Sequence, residues 1–63
     1  MTDDDLRAIG MTWHERDGLW TAQLQRERVV YVGERYAELR EAQQSCWGTY
    51  LSATQRPNNS EGI

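Results

Sequence analysis

Residues 11–24 read MTWHERDGLWTAQL, and this stretch decides the fold of the chain. Asp17-Gly18 within it is a strong signal for a two-residue β-hairpin turn, because both positions tolerate a positive φ. The turn predicts directly opposed pairs: Arg16 with Leu19, Glu15 with Trp20, Trp13 with Ala22, and Met11 with Leu24. Opposed residues share one face of a sheet, so this face is predicted to be apolar.

A third strand is predicted at residues 28–32, which read RVVYV, because β-branched residues favour strands. Its register stays open between two alternatives. A two-residue turn at Arg26-Glu27 places Val29 and Tyr31 on the apolar face. A three-residue loop places Val30 and Val32 there instead, since a slip of one residue exchanges the faces.

A helix is predicted from Glu34 to about Ser52, because apolar residues recur there at three- and four-residue steps, as in an amphipathic helix. The predicted buried stripe consists of Arg35, Leu39, Ala42, Cys46, Tyr50 and Ala53. The predicted fold class is α+β, a three-stranded antiparallel β-meander packed against one C-terminal α-helix. Residues 10–53 form this single domain. Residues 1–9 are expected to be a mobile acidic tail with at most one helical turn, and residues 54–63 a disordered tail.

Length and composition restrict the chemistry. A chain of 63 residues buries only a marginal core, and small domains usually add disulfides, a metal or a second subunit. One cysteine, Cys46, and one histidine, His14, provide neither a disulfide nor the four ligands of a zinc site. We therefore expect no metal and no small-molecule cofactor, and a homodimer stays open.

No catalytic residues are predicted. His14 is the only side chain whose ordinary pKa lies near neutral pH, and Cys46 falls on the buried helical stripe, where it acts as a small apolar residue. The glycines are too scattered for a phosphate-binding loop. The start of the chain lacks the pattern of a signal peptide, and no apolar run is long enough to span a bilayer. We expect a cytoplasmic protein that does not contact membranes.

The candidate site is the second face of the sheet. Its side chains alternate away from the apolar face and include no acid. The candidate binding residues are Thr12, His14, Arg16, Thr21, Gln23, Gln25 and Arg28, with Leu19 beside them and with Val30 and Val32 in the two-residue register. Arginine, glutamine, threonine and histidine are side chains that hydrogen-bond base edges and phosphates. An uncovered sheet face is also polar merely to stay in water.

Three segments carry a resemblance to known families: residues 18–24 (GLWTAQL), 28–33 (RVVYVG) and 37–42 (AELREA). Their order resembles that of the three-stranded-sheet-plus-helix DNA-binding domains of tyrosine integrase arms and plant ethylene-response factors. The helix, with Glu41-Ala42, Cys46 and Tyr50, is similar to that of short phage and prophage proteins. The resemblance implies the fold and a DNA-binding sheet. Those domains are typically basic, whereas this chain has a net charge of −3, which opposes binding to phosphates.

Two hypotheses for the function follow. The first is a small non-catalytic protein-interaction module, a phage or mobile-element accessory protein that binds a protein partner or a second copy of itself. Its motivation is a neutral body rich in tryptophan, tyrosine and arginine, the usual anchors of interfaces. The alternative is a DNA-binding accessory protein that uses the exposed sheet face.

Overall fold

The computed structural model describes residues 2–55. The elements are α1 (Asp3–Ala8), β1 (Met11–Arg16), β2 (Leu19–Arg26), β3 (Val29–Val32) and α2 (Leu39–Thr54). The strands form an antiparallel sheet in the order β1-β2-β3, and α2 packs mainly on the central strand. The predicted α+β meander with a C-terminal helix is confirmed. Most of the predicted C-terminal tail, residues 56–63, lies outside the described residues.

The first hairpin has the predicted register. Arg16 opposes Leu19, and Met11 opposes Leu24 at the other end of the pairing. The turn residues Asp17 and Gly18 have φ values of 56° and 78°. Both values lie in the left-handed region that aspartate and glycine tolerate best.

The turn before β3 lies one residue later than either alternative predicted. Arg26 opposes Val29, so Glu27 and Arg28 form the turn, and Glu27 has a φ of 60°. Compared with a turn at Arg26-Glu27, the observed turn shifts β3 by two positions along β2. An even shift leaves each β3 side chain on the same face of the sheet. Tyr31 consequently opposes Leu24 on the helix side, and Val30 and Val32 lie on the other face.

The prediction that the helix begins at Glu34 is wrong, because α2 begins at Leu39. Two of the backbone N–H groups before it are bonded outside the hydrogen-bond pattern of a helix. The amide of Glu34 donates to the Ser45 hydroxyl at 2.8 Å, and Tyr36 and Trp20 exchange backbone hydrogen bonds of 3.0 and 2.6 Å. Arg35, placed by the prediction on the buried stripe, is exposed and precedes the helix.

Residues Asp3–Ala8 form a short helix where a tail with at most one turn was expected. Thr2 and Asp5 form a capping box, in which each side chain accepts a hydrogen bond from the other residue's backbone N–H at 3.2 Å. Acidic residues in the first turn favour this end of a helix. Leu6 joins the core with 7% of its surface exposed.

The core lies between α2 and the apolar face of the sheet. Met11, Ala22, Leu24 and Cys46 are all 0% exposed. Around them pack the partly buried side chains of Ile9, Trp13, Tyr31, Trp47 and Tyr50. The chain directly after β3 comes close to α2 at Gly33, where a Cβ atom would lie 2.5 Å from the Cys46 backbone nitrogen. Glycine is therefore the residue that fits this position without displacing the helix.

Candidate functional site

The candidate site is the sheet face that α2 does not cover, here called the uncovered face. Within the described residues it consists of Thr12, His14, Arg16, Leu19, Thr21, Gln23, Gln25, Val30 and Val32. The strands place these residues there because side chains alternate along each strand. Met11, Ala22 and Leu24 point to the helix, so their neighbours point away from it.

The register places the predicted residues in rows across the sheet. Gln23 lies between Thr12 on β1 and Val32 on β3, and Thr21 lies opposite His14. Gln25 lies opposite Val30. Thr12 and His14 are exposed, whereas Thr21 and Gln23 on the central strand are half-buried. The structure thus brings together five of the seven predicted site residues as neighbours on one face of the sheet.

The two predicted arginines do not join this group. Arg16 ends β1 beside the first turn, and Arg28 lies in the second turn, outside the strands. The turns are at opposite ends of β2, at least six strand positions apart, which corresponds to about 20 Å. Each arginine also has a neighbouring acid in the chain, Asp17 and Glu27 respectively. The uncovered face therefore has no continuous basic strip.

The β3 side of the uncovered face is apolar, through two residues that the sequence assigned to this face only in one register. Val30 is 49% exposed and Val32 is 52% exposed. Both belong to β3, whose only partner among the described strands is β2. An apolar strand at a sheet edge presents unpaired backbone groups beside its side chains. The signal for this feature is the run of residues 29–32, VVYV, which has no charge and no proline.

The cysteine lies on the other side of the sheet, in the core. Burial raises the pKa of the Cys46 thiol above its ordinary value of 9.0, and a hydrogen bond from the Gly33 backbone partly opposes this. The Cys46 sulfur donates to the Tyr31 carbonyl at 3.4 Å. A thiol held in this way packs as a small apolar group, as the sequence predicted.

A shallow groove of about 270 Å³ lies between the two helices, lined by Leu6, Arg40, Gln43, Gln44 and Trp47. Residues 2–55 contain no cluster of His, Cys, Asp or Glu side chains suited to a metal ion. None of the helices in this part of the chain is both long and apolar enough to cross a membrane.

The comparisons with known proteins are negative: no family model, no curated protein and no solved structure matches this chain. The resemblance to integrase-arm and ethylene-response-factor domains therefore stays a prediction.

Proposed function

We propose that the chain is a small, non-catalytic protein-interaction module whose contact surface is the uncovered face. The observation that supports this most directly is the composition of the part of this face that β2 and β3 form. Val30 and Val32, each about half exposed, lie beside Gln23 and Gln25 without any charged side chain between them. Interface cores are likewise depleted of charged residues and combine apolar contact with a few hydrogen bonds.

The same geometry favours a protein partner over DNA. Sheet-based DNA binding requires cationic side chains that neutralise several phosphates along one surface. Arg16 and Arg28 lie at opposite ends of the sheet, each next to an acidic residue. A third arginine, Arg26, donates to the Ile9 carbonyl at 3.4 Å. The proposal includes a cytoplasmic setting, which the single free thiol of Cys46 supports.

A pair of lysine substitutions tests the proposal. Thr12→Lys places a charge on the uncovered face at an exposed position on β1, which β2 separates from β3. Ser52→Lys places the same charge on the exposed surface of α2. A protein partner is first captured with the wild-type chain, then purified and titrated against each variant. We expect it to bind the Thr12→Lys variant at least about tenfold more weakly, because burying an unpaired charge in the contact is costly. Its affinity for the Ser52→Lys variant should be unchanged.

Equal loss of affinity in both variants, or in neither, would contradict a contact through the uncovered face. A mobility-shift assay with duplex DNA at about 50 mM salt distinguishes the alternative, since binding through phosphates is strongest at low salt. A shift that Arg16→Gln abolishes would replace the proposal with DNA binding.

A further inference from the structure

The free edge of the sheet has a regular pattern of hydrogen-bonding groups. The Gly33 amide donates to the Ala22 carbonyl at 3.1 Å. In an antiparallel ladder, alternate residues direct their backbone groups to the same neighbour. Val29 and Tyr31 therefore direct theirs to β2, and Val30 and Val32 direct theirs outward, away from the sheet.

Among residues 2–55, little protects this edge against pairing. Natural sheets usually guard an edge strand with lysine, proline, an inward-pointing charge or a covering segment. β3 has only valines and a tyrosine, and α2 lies mainly over β2. Val29, Val30 and Val32 are 48%, 49% and 52% exposed. Such an edge is suited to accept another strand.

The residues around β3 identify which strand fits. Residues 27–35 read ERVVYVGER. Antiparallel pairing of this segment with its own copy, centred on Tyr31, brings Val30 opposite Val32 of the second copy and pairs their outward-directed backbone groups. In the same arrangement Glu27 and Arg28, which form the turn before β3, lie at the same end of the contact as Glu34 and Arg35 of the second copy, which follow β3. Each end of the contact then has two acidic and two basic side chains.

Shifting the register removes this complementarity. Pairing centred on Val30 brings the turn residue Arg28 toward Val32 of the second copy, and pairing centred on Val32 brings Glu34 toward Val30. Opposite charges that face each other across strands are stabilising, and a charge facing an apolar residue is not. The segment is thus self-complementary in the one register that also pairs the outward backbone groups of Val30 with those of Val32.

We propose that β3 pairs antiparallel with β3 of a second copy of this chain, about a two-fold axis at Tyr31, to form a six-stranded sheet. This deepens the proposed function and rests on it, because opposed residues share a face and the two uncovered faces become one continuous surface. Both α2 helices then lie on the opposite side. A contact of this length belongs to the small, transient class of interfaces, so the dimer depends on concentration.

Sedimentation equilibrium of the full chain, from about 5 µM to about 1 mM, covers the range expected for a transient interface. We expect a monomer at the low end and a dimer at the high end. Amide hydrogens of Val30 and Val32 should exchange more slowly at high concentration, because they are bonded only in the dimer. A monomer throughout would overturn the inference.

Two sets of variants locate the contact. Val30→Pro removes an outward-directed N–H and leaves the pairing with β2 intact, so it should abolish the dimer without loss of the fold by circular dichroism. Arg28→Glu leaves an excess of acidic side chains at each end of the contact and should weaken the dimer about tenfold, and adding Glu34→Arg should restore the charge balance and the dimer. A dimer that tolerates Val30→Pro, or that the double exchange does not restore, would overturn the proposed register.

The outcomes separate this inference from the proposed function. If the chain stays monomeric but Thr12→Lys still loses a protein partner, the self-pairing is overturned and the interaction module stands. A strand of a different protein at the β3 edge would likewise overturn the self-pairing. If the dimer forms but binding of every protein partner is unaffected by Thr12→Lys, the self-pairing stands and the contact through the uncovered face is overturned.

Discussion

Gly33→Ala adds only one methyl group, but it should lower the free energy of unfolding of this protein considerably. The added Cβ would lie 2.5 Å from the backbone nitrogen and 2.8 Å from the Cα of Cys46. Ordinary carbon contacts are about 3.5–4.0 Å, so α2 has to move away from the sheet by about 1 Å. The obstructing atoms are backbone, which cannot rotate aside as a side chain can. Overpacking of this kind costs about 1–3 kcal/mol, and we expect the upper end of that range.

This loss is a large fraction of the total free energy of unfolding, because the chain is small. A domain of this length has a free energy of unfolding of roughly 3–9 kcal/mol, at about 0.05–0.15 kcal/mol per residue. A loss of about 3 kcal/mol lowers Tm by roughly 12–24 °C in domains of this size. Urea and thermal unfolding followed by tryptophan fluorescence, at a concentration where the chain is monomeric, would measure it.

Gly48→Ala is the matched control. Gly48 lies within α2, and its added Cβ has no neighbouring atom within 4 Å. Alanine is favoured over glycine in a helix interior by about 1 kcal/mol, so this substitution should raise Tm. The same chemical change thus has opposite signs at the two sites. If Gly33→Ala were as stable as the wild type, the close approach of β3 and α2 described above would be refuted.

Two further predictions concern the core and the helix contact. Because burial raises the pKa of the Cys46 thiol, the folded chain holds its proton more tightly than the unfolded chain, so the free energy of unfolding should fall as pH rises above 9.0. Cys46→Ala should reduce this slope in urea titrations, and an unchanged slope would contradict the assignment. Gln43, 8% exposed, donates to the Asp3 carboxylate at 3.1 Å. Gln43→Ala should cost about 1 kcal/mol and speed amide exchange in α1 more than in β2, and uniform acceleration would contradict a local role.

The hairpin could be predicted from the sequence because two independent signals agreed. Asp17-Gly18 fixed the turn, and the alternation of Met11, Trp13, Ala22 and Leu24 gave the same register. Agreement between turn chemistry and apolar pattern leaves few alternatives. This part of the fold also defined most of the uncovered face, including Thr12, Thr21 and Gln23.

The remaining differences have physical causes. The second turn has Glu27 at a positive φ, which non-glycine residues rarely adopt. The sequence has no glycine or asparagine that would indicate a turn at this position. Tyr31 opposes Leu24 in the sheet, and its ring centroid lies 5.1 Å from that of Tyr50 on α2. The contact with Tyr50 is a tertiary contact, which local sequence does not reveal. The start of α2 was misjudged for a similar reason, because Trp20 bonds the backbone of Tyr36. The capping residues Thr2 and Asp5, in contrast, were a readable signal for α1.

The two-residue turns have a consequence for the speed of folding. Each strand pairs with its neighbour along the chain, so loop-closure entropy is small and most sheet contacts are local. Hairpins of this kind form within about 1–10 µs. The bond between Asp3 and Gln43 spans 40 residues. We therefore expect the strands to pair first and the hydrogen bond between α1 and α2 to form last.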